Sequence, residues 1–254
     1  MATKIYDLTH SFGHMSSLWP FEGREDIILK RVMFHGVGYP GGASKRATIY
    51  HGSLHHGTHL DAPIHCVDGG LTMDKIPLEN CYGTGVIVDF RHMKKWHRVT
   101  AEDFENATPK IEPGDFVVCN TGNHKNWRVK EYAFFNHYPG LVESGAQWLV
   151  KKKVKGIAGD WAANDHPLAH PPLQKTMPWL YDEYKKETGR DPDKEYPVYE
   201  PCHTLMLEAG LTCIEAAGGE LDLVTGKRCT IAAFPFRLEE GDGGMVRLVA
   251  IVEE

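Results

Sequence analysis

One stretch of eleven residues, from His55 to His65, constrains this chain more than any other. It reads His-His-Gly-Thr-His-Leu-Asp-Ala-Pro-Ile-His and holds the spacing His-x3-His-x-Asp-x3-His. Gly57 and Pro63 disfavour a helix here, so we predict a strand end that turns into a loop. In such a turn the spaced histidines and the carboxylate of Asp61 can converge with little help from distant sequence.

Imidazole and carboxylate groups are the ligands that divalent Zn, Mn and Fe prefer. Five of the fifteen histidines lie within residues 51–65, where an even scatter along the 254 residues would place about one. An isolated histidine is more often a solvated or core residue than a ligand, but that interpretation does not explain a cluster. We expect His51 and His56 to have a supporting or exposed role. The metal ligands predicted from the cluster are His55, His59 and Asp61.

Two other histidine-rich motifs fit this stretch less well. A helical zinc protease needs His-Glu-x-x-His, and no Glu lies between His55 and His59. The metallo-β-lactamase pattern His-x-His-x-Asp-His would need histidine at Gly57 and at Ala62. Neither class is therefore indicated.

Three clustered ligands leave a coordination position open, which is typical of a catalytic metal, whereas structural sites are closed by four protein ligands. A non-catalytic metal-binding protein is therefore the weaker hypothesis. A histidine held beside the metal can carry a proton to a leaving group. We assign this role to His65, with a further ligand role as the alternative, because spacing alone does not decide between them.

Composition and charge narrow the class of protein. A formal net charge of −6 argues against a nucleic-acid partner, and no apolar stretch is long enough to span a membrane. The six cysteines are scattered without a C-x-x-C pair, so we expect reduced thiols and a cytoplasmic location. The first residues show no secretory signal pattern. We expect residues 1–254 to form a single domain, with an apolar fraction of 42% that is sufficient for a core.

Short β-branched runs bounded by Gly, Pro, Asp or Asn predict several strands. They are Ile27–Val32, Ala47–His51, Gly85–Phe90, Phe116–Asn120, Gly156–Ala158, Thr230–Phe234 and Met245–Val252. Helices are predicted after the capping pattern of Thr100 and Asp103, over Leu141–Lys153 and, with a weaker pattern, over Met177–Lys186 and Thr204–Ala209. The predicted fold class is α/β (or α+β), a strand-rich core with flanking helices.

Residues 166–201 differ in composition from the rest of the chain, with seven prolines among charged and aromatic residues. Such a stretch cannot form a central strand or one long helix. We predict an insertion that leaves the core and holds one short helix around Met177–Lys186. A binding loop and a surface insertion that only packs are both open interpretations.

The His55–His65 stretch resembles the signature of the cyclase-type metal-dependent hydrolases, which include bacterial kynurenine formamidase and isatin hydrolase. The pattern His-x-Gly-Thr-His-x-Asp-x-Pro-x-His is matched at every fixed position. Further agreement lies in Asp7-Leu8-Thr9, in Trp19-Pro20, in Gly159-Asp160 followed by Asn164-Asp165, and in His203 followed twelve residues later by Glu215. The resemblance covers most of the chain.

The resemblance implies a swivelling β/β/α fold assembled as a homodimer or homotetramer, and one or two Zn or Mn ions per subunit. It implies that His55, His59 and Asp61 hold the first metal, that Asp61 and Glu215 help join two ions, and that His203 completes the second site. It also implies that His65 is the acid/base and that Trp19 lines the substrate pocket. From their residue types alone, His203 could cap a helix and Glu215 could be exposed.

The expected activity is hydrolysis of an amide, cyclic amide or imide, or lactone bond in a small molecule. Kynurenine formamidase activity itself, and a cyclase or lyase reaction on the same metal, are the alternatives. Nearly forty residues separate Asp165 from His203, more than in the bacterial formamidases. This insertion affects the predicted substrate more than the predicted hydrolytic chemistry.

Overall fold

The computed structural model describes residues 2–14, 16, 27–35, 44–171 and 173–254, without the side chains of residues 173 and 174. Within these ranges the strands are β1 (Thr3–Asp7), β2 (Ile28–Met33), β3 (Ala47–His51), β4 (His59–Asp61), β5 (Tyr82–Asp89), β6 (Arg98–Val99), β7 (Phe116–Asn120), β8 (Gly140–Leu141), β9 (Gly156–Gly159), β10 (Thr212–Glu215), β11 (Arg228–Ala232), β12 (Gly243–Met245) and β13 (Val249–Glu253). The α-helices are α1 (Ala101–Glu105), α2 (Glu131–Asn136), α3 (Glu143–Lys152), α4 (Leu173–Thr176), α5 (Pro178–Thr188), α6 (Pro192–Glu195), α7 (Pro201–Glu208) and α8 (Leu221–Val224). No helix in this part of the chain combines the length and apolarity needed to cross a membrane.

Nine of the described strands form one mixed sheet in the order β1-β13-β11-β5-β7-β9-β10-β4-β12. Strands β5, β7, β9 and β10 run parallel, so their carboxyl ends meet at one edge. Strand β4 runs antiparallel to β10, with His59 opposite Glu215. The amino end of β4 therefore lies at the same edge, where open α/β sheets commonly bind ligands.

One face of the sheet is covered by helices. On β7, Val117 and Cys119 point to this face and belong to the same apolar cluster as Phe104 of α1, Leu149 of α3 and Met206 of α7. Burial of a side chain of this size contributes about 1.5–3 kcal/mol, so this cluster holds the helices against the sheet.

The other face is closed by the sheet itself. Phe116 and Val118 of β7 belong to a second cluster that also contains Tyr6 of β1 and Leu60 of β4. Strands β1 and β4 are far apart in the sheet order, so the sheet must curl for their side chains to share one core. The predicted class, a strand-rich mixed α/β core with flanking helices, is confirmed; the single-domain assignment stays a prediction.

Several predicted elements agree closely with the structure. Strands β3 and β7 have the predicted bounds, and α1 begins after Thr100, whose backbone N–H donates to the carboxylate of Asp103 at 2.8 Å. Strand β7 is apolar up to its last residue, Asn120, and buried on both faces, as expected of a central strand in a parallel region.

Two predicted elements are wrong in arrangement. The expected single strand Met245–Val252 is two strands, because β12 pairs with β4 at one end of the sheet while β13 pairs with β1 and β11 towards the other. The His55–His65 stretch is not a strand that turns into a loop. Its loop comes first and leads into the three-residue β4, which forms because β10 and β12 pair with both of its edges.

The 166–201 segment contains three short helices, α4, α5 and α6, rather than the one expected. Its side chains build a third apolar cluster, in which Leu180, Tyr184 and Tyr196 surround Trp96. The segment is therefore packed onto the rest of the molecule, and it ends where α7 begins.

Candidate metal centre

The centre of the site is a pair of neighbouring strands. His59 and Asp61 are two residues apart on β4 and so project from the same face, and Glu215 ends β10 directly opposite His59. All three are buried. The Nε2 atom of His59 lies 3.4 Å from Oδ1 of Asp61 and 3.5 Å from Oε2 of Glu215.

His55 reaches this pair from the loop before β4. Its Nδ1 lies 2.8 Å from Oδ1 of Asp61, and its ring meets the ring of His59 edge-on at 5.1 Å. The ring passes so close to Gly243 on β12 that a Cβ there would lie 2.6 Å from Cε1 of His55. A residue without a side chain at position 243 is what allows His55 to face Asp61.

His203 enters from the first turn of α7. Its Nδ1 lies 2.6 Å from Oδ2 of Asp165, and its Nε2 lies 2.7 Å from Oε1 of Glu215 and 3.6 Å from Oδ2 of Asp61. Asn164 also holds Glu215, since its backbone N–H donates to Oε1 at 2.8 Å. From its residue type alone Glu215 could have been exposed. The structure shows that it is buried and held by these hydrogen bonds.

The hydrogen bonds at the edge of the site set which ring nitrogen points inward. Nδ1 of His59 donates to the carbonyl of Gly57 at 2.9 Å, so its Nε2 lone pair faces the carboxylates. The Oδ2 atom of Asp61 is buried and accepts no hydrogen bond from the described residues. Burial alone would raise the pKa of Asp61, but His59 and its neighbours hold it well below its usual range, so the carboxylate is ionised. Imidazole lone pairs and an unpaired buried carboxylate oxygen fit a divalent cation between them.

Two ligand sets share Asp61. In each, one nitrogen or oxygen atom per residue lies within 4.8 Å of the others. One set is His55, His59 and Asp61, and the other is Asp61, His203 and Glu215. The donors are nitrogen and carboxylate oxygen, which suit Zn, Mn or Fe. A shared carboxylate accommodates one ion or two, and the choice between Zn and Mn stays a prediction.

His65 lies beside the two sets rather than within them. It ends the short 3-10 turn Pro63–His65, and its ring centroid is 4.2 Å from that of His55 and 6.4 Å from that of His203. Its side chain is 28% exposed, against 3% for His203. His65 also belongs to a candidate group with His55 and Asp242, so the choice between an acid/base and a further ligand stays a prediction.

A cavity of about 260 Å³ opens onto these side chains. Its lining residues are His55, His59, Asp61, His65, Cys66, Ala163, Tyr199, Glu200, His203, Thr204 and Glu215. The volume suits a small molecule rather than a polymer segment.

The structure brings together six of the seven predicted site residues, namely His55, His59, Asp61, His65, His203 and Glu215. The seventh, Trp19, lies outside the described residues. Their chemical roles stay predictions, because proximity alone does not assign them.

Three acidic residues near the site were not among the predicted site residues. Asp165 orients His203, Asp242 lies 3.3 Å from Nε2 of His55, and Glu200 lines the cavity. Each lies in a sequence context that could have indicated it. Asp165 follows shortly after a strand end, Asp242 precedes a Gly-Gly pair, and Glu200 precedes a proline that begins a helix.

Known proteins resemble this chain over most of its length. Kynurenine formamidase of Erythrobacter litoralis is 24% identical over 249 residues, which cover 97% of this chain and 93% of that protein. Cyclase-like protein 3 of Oryza sativa is 30% identical over 165 residues, 61% of this chain and 57% of that protein. The structure of isatin hydrolase A from Ralstonia solanacearum superposes with a TM-score of 0.76 at 22% identity, over 99% of this chain and 92% of that chain. That likeness shows a shared fold.

A family model described as "Putative cyclase" matches residues 6–166. The matched range contains the His55 to His65 motif and strand β4, whereas β10 with Glu215 and α7 with His203 lie beyond it. Because this match spans more than half of the chain and includes the ligands on and before β4, the chain belongs to the Cyclase family.

Proposed function

We propose that this protein is a metal-dependent hydrolase that cleaves an amide, a cyclic amide or imide, or a lactone bond of a small molecule. The observation that carries the proposal is the buried Asp61, shared by two ligand sets, with His65 beside them at the wall of a small cavity. The relatives named kynurenine formamidase and isatin hydrolase support hydrolysis of a C–N bond.

The metal would be held by the two sets around Asp61, with His55 and His59 on one side and His203 and Glu215 on the other. When bound, a divalent cation supplies Lewis acidity and brings the pKa of a coordinated water towards neutrality. The protein residues then position the substrate and move the proton.

We assign the proton transfer to His65. It takes up the proton of the attacking water as the water oxygen adds to the carbonyl carbon of the substrate. The C–N or C–O bond then breaks, its electron pair stays on the leaving atom, and that atom receives the proton from His65. Asp242, whose Oδ2 lies 3.9 Å from Nδ1 of His65, contributes a negative charge beside the ring.

The decisive experiment combines metal content with turnover in His65→Ala. We expect the variant to retain the metal content of the wild type while kcat falls about 10²–10⁴-fold, the range for loss of a general acid/base. His92→Ala, at an exposed position away from the cavity, is the matched control and should keep full activity. Full activity in His65→Ala would refute its assigned role.

A screen of formamides, cyclic imides and lactones would identify the bond that is cleaved. Kynurenine formamidase activity is the second candidate, favoured by the 97% coverage of this chain in the Erythrobacter match. A cyclase or lyase reaction is distinguished in ¹⁸O-labelled water, because hydrolysis places solvent oxygen in the product and elimination does not. The proposed homodimer or homotetramer is tested by light scattering of the purified protein.

A further inference from the structure

Glu200 stands on the cavity wall at the end of the 166–201 segment, and its backbone is in an unfavourable conformation. Its φ of 44° and ψ of 53° place it in the left-handed region, which costs a residue with a side chain about 1–3 kcal/mol. Two hydrogen bonds hold it there: its N–H donates to the carbonyl of Ala169 at 3.0 Å, and its own carbonyl accepts from the N–H of Thr204 at 3.3 Å. The insertion and α7 together therefore determine where this carboxylate lies.

The carboxylate of Glu200 is held at the cavity as an anion. Its side chain is 13% exposed, and Nε2 of the fully buried His170 lies 3.0 Å from its Oε1. Burial alone would raise the pKa of Glu200, but the hydrogen bond with His170 lowers it. The group therefore accepts hydrogen bonds at neutral pH and does not donate them.

Glu200 and His65 are close enough for one substrate atom to contact both. A ring nitrogen of His65 and a carboxylate oxygen of Glu200 lie within 4.8 Å of each other. An atom that receives a proton from His65 must approach it to about 3 Å, and such an atom can be about 3 Å from Glu200 at the same time. The leaving atom of the substrate is therefore within reach of both groups.

We propose that Glu200 is a specificity-determining residue that selects substrates whose leaving atom is an N–H nitrogen, namely secondary amides and lactams, over esters and lactones of the same shape. The proposal rests on the hydrolase function and on the role of His65 proposed above. An amide N–H donates to Glu200 while the nitrogen takes its second proton from His65. An ester oxygen has no hydrogen to donate, and its lone pairs would face the partly buried carboxylate, so an ester gains no hydrogen bond from Glu200 and meets repulsion there.

The test compares kcat/KM for formanilide and for phenyl formate, which differ by N–H against O at the leaving atom. Glu200→Gln keeps the size of the side chain and removes its charge, so we expect the amide-to-ester ratio to fall at least about tenfold. Glu200→Asp keeps the charge, so its amide-to-ester ratio should lie between that of the wild type and that of Glu200→Gln. Glu208→Gln, the same change at an exposed position of α7, should match the wild type.

An unchanged ratio in Glu200→Gln, or an equal loss on both substrates, would overturn the proposal, because a merely structural role lowers both. Binding of oxindole and N-methyloxindole, measured by calorimetry on the metal-loaded protein, gives a readout without turnover. The preference of the wild type for the N–H lactam should shrink in Glu200→Gln. If the wild type hydrolyses neither formanilide nor phenyl formate, the proposed function fails for these bonds, and the lactam pair still decides whether Glu200 selects N–H groups.

Discussion

The carboxylate of Asp165 accepts the Nδ1 hydrogen of His203 at 2.6 Å, and both side chains are buried. The same carboxylate accepts the backbone N–H groups of Cys202 and His203, at 2.8 and 2.9 Å, in the first turn of α7. Asp165 thus satisfies free donors of the helix end and orients the imidazole, so that Nε2 of His203 points at Glu215.

Replacement of this carboxylate should weaken metal binding. In Asp165→Asn the side chain keeps its size but loses the charge that fixes the ring of His203, so we expect metal affinity to fall about 10–100-fold. The free energy of unfolding should fall by about 1 kcal/mol through the weaker helix cap. Competition titration with a chelating dye measures the first effect and urea unfolding the second. Asp191→Ala removes the side-chain cap at α6, and it should lower stability without changing metal affinity.

Two adjacent glycines of β12 should respond differently to the same substitution. In Gly243→Ala the new methyl group would lie 2.6 Å from the ring of His55, so the ring must move away from Asp61 and metal content should drop. In Gly244→Ala the nearest atom is the flexible end of Met73 at 3.3 Å, so metal content should stay close to that of the wild type. Elemental analysis of both purified variants measures the difference. Equal metal content in the two would show that His55 is not required at its observed position.

Metal binding should stabilise the folded chain. The ligands converge only in the native state, so free metal at about 100 times Kd should add about 2.7 kcal/mol, or about 5–10 °C in Tm. Differential scanning calorimetry of the protein after chelation, with and without added Zn or Mn, measures this shift. Asp61→Asn removes the ligand common to both sets and should show little gain from added metal. A full gain in that variant would locate the metal elsewhere.

Stability should fall in mild acid because of a histidine outside the metal centre. Burial, with a smaller contribution from His124, lowers the pKa of His10 from 6.5 to about 4. The unfolded chain therefore binds this proton first, so the stability present above pH 6.5 is lost as the pH falls towards 4. The loss is of the order of 3 kcal/mol.

The variant His10→Phe isolates this effect, since Phe retains a ring for the stack on Trp127, whose centroid lies 4.7 Å away, and cannot be protonated. The unfolding free energies of wild type and variant, measured in urea between pH 7 and pH 4, should therefore diverge as the wild type loses stability faster. Parallel curves would mean that His10 does not contribute. Protonation of the metal ligands affects both proteins equally, so it cancels in the difference between their unfolding free energies.

Much of the site could be predicted from local sequence because its first ligands are close together in the chain. His55, His59 and Asp61 lie within seven residues, with a glycine and a proline that shape the turn, and the structure brings them together as expected. Central strands such as β7 were also predictable, because a strand buried on both faces is apolar throughout. Edge strands and short strands such as β4 and β12 carry no such pattern, since their pairing depends on partners distant in sequence.

The sequence by itself determined the chemistry of the donors, the close spacing of the first three and the mixed α/β class, because each of these depends on residue type and local spacing. Only the tertiary structure decided how the carboxylates distant in sequence are arranged around these donors. The pairing of β10 with β4 places Glu215 opposite His59, α7 sets His203 against Asp165, and the packed 166–201 segment brings Glu200 to the cavity beside His65. The physical reason is that a carboxylate has no local pattern that distinguishes an exposed side chain from a buried one, and long-range packing alone determines which is which.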